Sequence, residues 1–212
     1  MAQTKSIPQL ASTRNSSLPR PTREEAEAAV RTLIAWAGEN PDRAGLHNTP
    51  SRVIEAYEEY FRGYNEDPTA WLSDDNIDLA STYSEPIILT GVRVQSFCEH
   101  HMTPFEGTAG VAYLPNHRFV GLSRLARVVD TCARRLQTQE SLTQQISQSI
   151  DQGLSARGVA VLIEAEHQCM SFRGIRQSGI KTVTTHFTGE FESNPVLREH
   201  FLSACDQFRR RS

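Results

Sequence analysis

The chain has 212 residues with a hydrophobic share of 38% and a charged share of 22%, proportions that suit one globular domain with its own core and a modest extension. Its 22 basic and 25 acidic residues leave a formal net charge of −3, which argues against nucleic acid or an anionic membrane as a partner, so any affinity for phosphate has to be local. No apolar run is long enough to span a bilayer and the first residues lack the apolar stretch of a secretory signal, so a cytoplasmic protein is expected.

Residues 1–21 are rich in Ser, Pro, Thr and Gln without periodic apolar positions, which predicts a disordered tail. A helical extension is expected over 22–64. Thr22 and Glu25 have the spacing of a capping box, and Ala26, Ala29, Val30, Leu33 and Ala37 recur at helical spacing before Gly38 to Pro41 end the helix. Thr49-Pro50 reads as a cap followed by proline at the first helical position, with Val53, Ala56, Tyr57, Tyr60 and Phe61 as the apolar face and Gly63 as the stop.

The main domain is expected over 65–212. Strand character runs from Pro86 to Phe97 and from Phe105 to Leu114, and a Pro115-Asn116 turn leads into a third strand over Arg118 to Leu122. Two helices are predicted next, Ser123 to Leu136 and Glu140 to Arg157, then strands over Val159 to Phe172 and Lys181 to Phe191. A closing helix is expected from Asn194-Pro195 to about Arg209. Helices, antiparallel strands, a helix pair, more strands and a last helix make an α+β pattern, not the alternation that gives a parallel doubly wound sheet. Neither a Gly-x-Gly-x-x-Gly motif nor a Walker loop is present.

Two clusters end runs with strand character, Ile87 to Phe97 and Val159 to Glu166: Cys98-Glu99-His100-His101 and His167-Gln168-Cys169. Zinc is well served by such sulfur and nitrogen donors, and a catalytic zinc keeps only three protein ligands so that water can take the fourth position. Cys98, His101 and Cys169 are read as that set, with His100 and His167 left to carry protons. A closed structural site, with His100 or His167 as fourth ligand, is the competing arrangement. Cys132 and Cys205 fall instead on the apolar stripes of predicted helices and read as small core residues, and all four thiols are expected to stay reduced.

Four ordered blocks resemble GTP cyclohydrolase I: Cys98 to Phe105, Gly121 to Arg127, Gln137 to Gln145 and Glu166 to Arg176. The likeness runs from about residue 22 to the C-terminus. It implies the tunnelling fold, in which antiparallel sheets of several subunits close a barrel with helix pairs outside. A homo-oligomer, a decameric ring with sites where subunits meet, and conversion of GTP and water to formate and 7,8-dihydroneopterin triphosphate are likewise implied. Zinc lowers the pKa of bound water from about 15.7 to about 7 and so supplies the nucleophile that opening a purine ring requires. The resemblance further implies that His167 serves the purine nitrogens and His100 the ribose oxygen, and that Glu140, with Gln139 beside it, reads guanine through N1–H and the 2-amino group. Arg124, Arg127, Arg173 and Arg52 would hold the triphosphate, Arg52 from a neighbouring subunit, and Ser123 would contact phosphate or ribose. Arg124 stands where the family commonly has lysine.

Rival readings keep the fold and change the chemistry: a nitrile reductase, a cyclohydrolase that forms a cyclic phosphate, or a zinc- and nucleotide-binding module without turnover.

Overall fold

The computed structural model describes residues 19–73, the backbone of 77–78, and residues 83–116 and 118–211. Of the tail expected over 1–21, residues 1–18 lie outside the described residues.

Helix α1 (Arg23–Trp36) starts as its sequence requires: the Thr22 side chain accepts from the Glu25 N–H, and the Glu25 carboxylate accepts from the Thr22 N–H. Helix α2 (Thr49–Tyr60) begins one residue earlier than expected. Asn48 takes the cap position, so Thr49 and Pro50 both belong to the first turn. The two helices pack on each other, and Arg23 reaches from α1 to Glu55 and Glu58 of α2. Two short 3-10 helices, Arg62–Asn65 and Pro68–Leu72, lead to strand β1 (Ile77–Asp78).

The next strands are β2 (Ile87–Cys98), β3 (Pro104–Leu114) and β4 (Arg118–Phe119). After them come α3 (Leu122–Ala133), β5 (Leu136–Gln137), α4 (Gln139–Leu154) and β6 (Gly158–His167). The chain ends with α5 (Gln168–Ser171), β7 (Thr182–Phe187), α6 (Glu190–Ser193) and α7 (Pro195–Arg209). Five strands form one sheet in the order β5-β2-β3-β6-β7, antiparallel except for the short parallel pairing of β5 with β2. The α+β class expected from the element order is the class observed, with the paired helices α3 and α4 laid over one face of an antiparallel sheet.

Several boundaries differ from expectation. Arg118 to Leu122 does not extend the β2–β3 hairpin: Arg118 and Phe119 pair with Asp78 and Ile77, and Leu122 already begins α3. The strand expected over Val159 to Phe172 stops at His167, because Gln168–Ser171 makes a helical turn closed by the Phe172 N–H on the Gln168 carbonyl. Lys181 to Phe191 likewise yields a strand only over Thr182–Phe187; Gly189, at φ 55°, turns the chain into α6, which buries Phe191. Helix α4 ends at Leu154 on a left-handed Ser155 at φ 48°, short of the expected Arg157.

Strand alternation builds two cores. Phe105, Val111 and Tyr113 of β3 and Val159, Val161 and Ile163 of β6 meet Leu125, Val128, Cys132, Leu142 and Ile146 of α3 and α4. The opposite face sets Ala112, Leu114, Ala160 and Leu162 against Phe191, Phe201 and Cys205. Cys132 and Cys205 are buried as expected, and burial pushes each thiol up to about 11. All four cysteines are free. Among the described residues no helix is long and apolar enough to cross a membrane.

Candidate metal centre and its surroundings

The β2–β3 connection carries the first cluster. Cys98 is the last residue of β2; its N–H donates to the Thr103 carbonyl and its own carbonyl accepts from the Met102 N–H, with Met102 at φ 54°. This tight reversal holds residues 99–101 in a short exposed loop over a buried Cys98. The second cluster arrives by register. Phe105 of β3 pairs with His167 at the end of β6, and the helical turn of α5 carries Cys169 back toward Cys98.

One donor atom each from Cys98, His101 and Cys169 lies within 4.8 Å of the others. Zinc–sulfur and zinc–nitrogen bonds of about 2.3 and 2.0 Å give donor–donor edges of roughly 3.5–4 Å in a tetrahedron, so a small side-chain adjustment fits this set to the ion. Among the described residues, neither His100 nor His167 belongs to the group of mutually close donors. His100 borders the group, with Nδ1 3.7 Å from the Cys98 sulfur. Burial, and next the Cys98 sulfur, push the Cys169 thiol above its ordinary range, the penalty that a cation at this position removes.

Arg173 reaches the same loop, donating from Nη1 to Nε2 of His101 at 2.5 Å. With Nε2 of His101 engaged by Arg173, Nδ1 is the ring nitrogen that would be open to a metal.

His167 is half-buried and stacked on Phe105, ring centroids 4.6 Å apart. Burial lowers its pKa, and the Glu140 carboxylate opposes that shift. Glu140 itself is exposed in the first turn of α4, close enough to His167 to act on it electrostatically. Gln139, its neighbour, is 1% exposed, and its carboxamide is engaged by protein partners: Nε2 shares its two hydrogens among the carbonyls of Ile163 and Thr182 and the Thr184 hydroxyl, while Oε1 meets Nε2 of His167 at 2.9 Å.

The remaining expected residues do not join this cluster within one chain. Ser123, Arg124 and Arg127 sit at the start of α3, whose first turn lies near the far end of β3, where the Val120 N–H donates to the Tyr113 hydroxyl. The other end of α3 leads into β5, the neighbour of Cys98, so Ser123 is separated from the donor set by about a helix length, roughly 18 Å. Ser123, Arg124 and Arg127 line an open cavity of about 570 Å³ together with Trp71, Glu66 and Asp67. There Arg124 donates to the Trp71 carbonyl at 3.1 Å and the Arg127 guanidinium lies 4.6 Å from the centre of the Trp71 ring. Arg52 is exposed on α2. Phe105, Thr143 and Thr184 around His167 were not anticipated. Of these only Thr143 had a sequence signal, its helical i, i+4 spacing from Gln139.

Residues 26–206 match the GTP cyclohydrolase I family. The chain is 52% identical to GTP cyclohydrolase 1 of Hyphomonas neptunium over 194 residues, 92% of this chain and 94% of that one. To GTP cyclohydrolase 1 of Maricaulis maris it is 48% identical over 188 residues, covering 89% and 91%. Among solved structures, an apo archaeosine synthase QueF-Like covers 51% of this chain at 16% identity with a TM-score of 0.43, a likeness too loose to inform the function. With a family match over residues 26–206 and relatives at this identity over nearly their whole lengths, the chain belongs to the GTP cyclohydrolase I family.

Proposed function

We propose that the protein opens the guanine ring of GTP with water, releases formate and rearranges the remainder to 7,8-dihydroneopterin triphosphate, with zinc as its metal. The observation that carries this reading is the convergence of Cys98, His101 and Cys169, drawn from two distant segments, to within 4.8 Å with no fourth protein donor among the described residues. Zinc on this set supplies a water whose pKa falls toward neutrality.

The chain's own residues do the rest. His167, whose pKa burial lowers, faces the purine nitrogens, and exposed His100 serves the ribose oxygen. Glu140 accepts from N1–H and the 2-amino group of guanine; adenine offers an acceptor and a bare carbon there and leaves the carboxylate unpaired. Arg173 moves from His101 to phosphate when GTP and metal are in place.

A homo-oligomer, a decamer by resemblance, completes the site. Support comes from the charge balance at the start of α3, where the two cations Arg124 and Arg127 share their cavity with the two carboxylates Glu66 and Asp67. Such a cavity cannot neutralise a triphosphate alone, and its distance from the donor set suits a site assembled from one subunit's α3 and another's metal centre, with Arg52 added at the junction. A cytoplasmic setting agrees with the four free thiols.

The test combines metal analysis of the assembled protein with an assay for formate and for a fluorescent pterin after oxidation. Stoichiometric zinc with equimolar formate and pterin is the expected result. Tight GTP binding without formate would reduce the protein to a nucleotide-binding module, and a cyclic phosphate in the product mass would select the related cyclohydrolase.

A further inference from the structure

The hydrogen bonds around Gln139 run in one direction, and that direction fixes a proton on His167. Nε2 of Gln139 lies 3.1 Å from the Ile163 carbonyl and 3.0 Å from the Thr182 carbonyl. Carbonyl oxygens only accept, so the nitrogen of this carboxamide must face them and a flipped amide would set oxygen against oxygen. The carboxamide oxygen is thereby aimed at Nε2 of His167, 2.9 Å away, and an oxygen of this kind cannot donate. The hydrogen in that contact therefore belongs to His167.

A second set of bonds removes the remaining freedom. The Thr143 hydroxyl donates to the Gln139 carbonyl at 2.7 Å, which uses its only hydrogen. Its 2.7 Å contact with the Thr184 hydroxyl must then be donated by Thr184. Having given its hydrogen, Thr184 can only accept from Gln139 Nε2, which lies 3.0 Å from it. Each group in this loop is locked by the next, and Gln139 and Thr143 are each 1% exposed, so no solvent competes for either.

We propose that Gln139 is a positioning residue that holds neutral His167 as the Nε2–H tautomer, with Thr143 and Thr184 fixing Gln139 in turn. The ring nitrogen left with a lone pair is then Nδ1, and stacking on Phe105 at an interplanar angle of 10° sets the plane in which that lone pair lies. Gln139 touches no substrate in this role. The inference rests on the proposed part of His167 in proton handling, yet the tautomer is measurable whether or not the protein turns over GTP.

The experiment uses the zinc-loaded assembly with ring-15N histidine, measured under magic-angle spinning at pH about 8, where an imidazole of ordinary pKa is neutral. The His167 signals are assigned by their loss in His167→Asn. Wild type should show one His167 species with hydrogen on Nε2. Gln139→Met should show mixed tautomers and a kcat lower by about tenfold or more, with zinc content unchanged and KM for GTP within about threefold. Hydrogen on Nδ1 in wild type overturns the inference, as does a single unchanged tautomer with unchanged kcat in Gln139→Met. If Gln139→Met fails to assemble, the wild-type spectrum decides alone. Formate production with an Nδ1–H ring sinks the inference and leaves the function standing; an Nε2–H ring without formate does the reverse.

Discussion

Phe105 and His167 are partners across the β3–β6 ladder, and their rings stack at 4.6 Å with an interplanar angle of 10°. Phe105 is fully buried and belongs to the main core, so core packing extends up to the imidazole without a break. Phe105→Leu keeps an apolar side chain and removes the flat surface. The expected outcome is a loss of about 1–2 kcal/mol in stability, from lost stacking and imperfect refilling, with zinc retained and kcat reduced more than KM. Denaturant unfolding, metal analysis and steady-state kinetics on one preparation check it. An unchanged kcat would show that the stack supports the fold and not the chemistry.

Because the three donors come from two segments, each should be required for the metal. Cys98→Ser and Cys169→Ser are each expected to lose zinc and at least 100-fold in turnover, since a neutral hydroxyl replaces a thiolate in a set with only three protein ligands. His100→Ala is the contrasting case. His100 touches the Cys98 sulfur side but stands outside the donor group, so this variant should keep zinc and still fail to form product. Elemental analysis of all three separates the roles, and zinc missing from His100→Ala would make His100 a ligand.

How much of this was legible in the sequence depended on how local the cause was. The α1 cap was readable because Thr22 and Glu25 satisfy each other within one turn. The two candidate ligand clusters were readable because each ends a strand of strong β character. The strand at Arg118 was misread because two residues pairing with Ile77 and Asp78 depend on a partner some forty positions earlier. The partners of Gln139 were hidden for a similar reason: its carboxamide contacts Ile163 and Thr184, which lie 24 and 45 positions away. A polar residue beside Glu140 gives no local sign of burial. The separation of Ser123, Arg124 and Arg127 from the donor set was also invisible, since motif blocks carry no distances.

Two half-buried imidazoles make stability depend on pH. Burial lowers the pKa of His167 and of His186 below 6.5, and the nearby carboxylates Glu140 and Glu192 only partly oppose it. Nδ1 of His186 is also buried without a hydrogen-bond partner. As pH falls, the unfolded chain takes up these protons first, so the folded state loses ground. The contribution of both residues is complete above the unfolded value of 6.5 and declines as pH drops through it and then through the lowered folded values. Metal-stripped protein should therefore show a falling denaturant midpoint between pH 7.5 and 5.5, and His186→Gln, which cannot titrate, should flatten that fall. An identical pH profile in the variant would remove His186 from the account.

Strand pairing near the metal centre depends on a missing side chain. A Cβ at Gly107 would lie 1.9 Å from the Glu164 carbonyl oxygen and 2.6 Å from the Ala165 Cα, both backbone atoms that cannot swing aside. Gly107 pairs with Ala165 two residues from the Phe105–His167 partnership, so the strain of an added methyl falls on the ladder that joins the two clusters. Gly107→Ala is expected to cost about 3 kcal/mol and lower Tm by roughly 5–10 °C. Zinc affinity should fall as well, because spreading β3 from β6 moves Cys169 away from Cys98. Calorimetry and a competitive zinc titration test both, and a stable variant with native affinity would mean that the two strands are not held by close backbone contact.

The distance between Ser123, Arg124 and Arg127 and the donor set leads to a test of how the proposed site is assembled. Where one subunit supplies the metal centre and another the start of α3, Cys98→Ser and Arg127→Ala damage different halves. Each variant alone should be nearly inactive. Unfolded together in equal amounts and refolded with zinc, they should give mixed assemblies in which about a quarter of the sites combine two intact halves, and activity should return to about that fraction of wild type. The two variants refolded separately and then mixed provide the control. A site built within one subunit gives a different result: every subunit carries a defect, no combination restores a complete set, and the co-refolded mixture stays as inactive as its components.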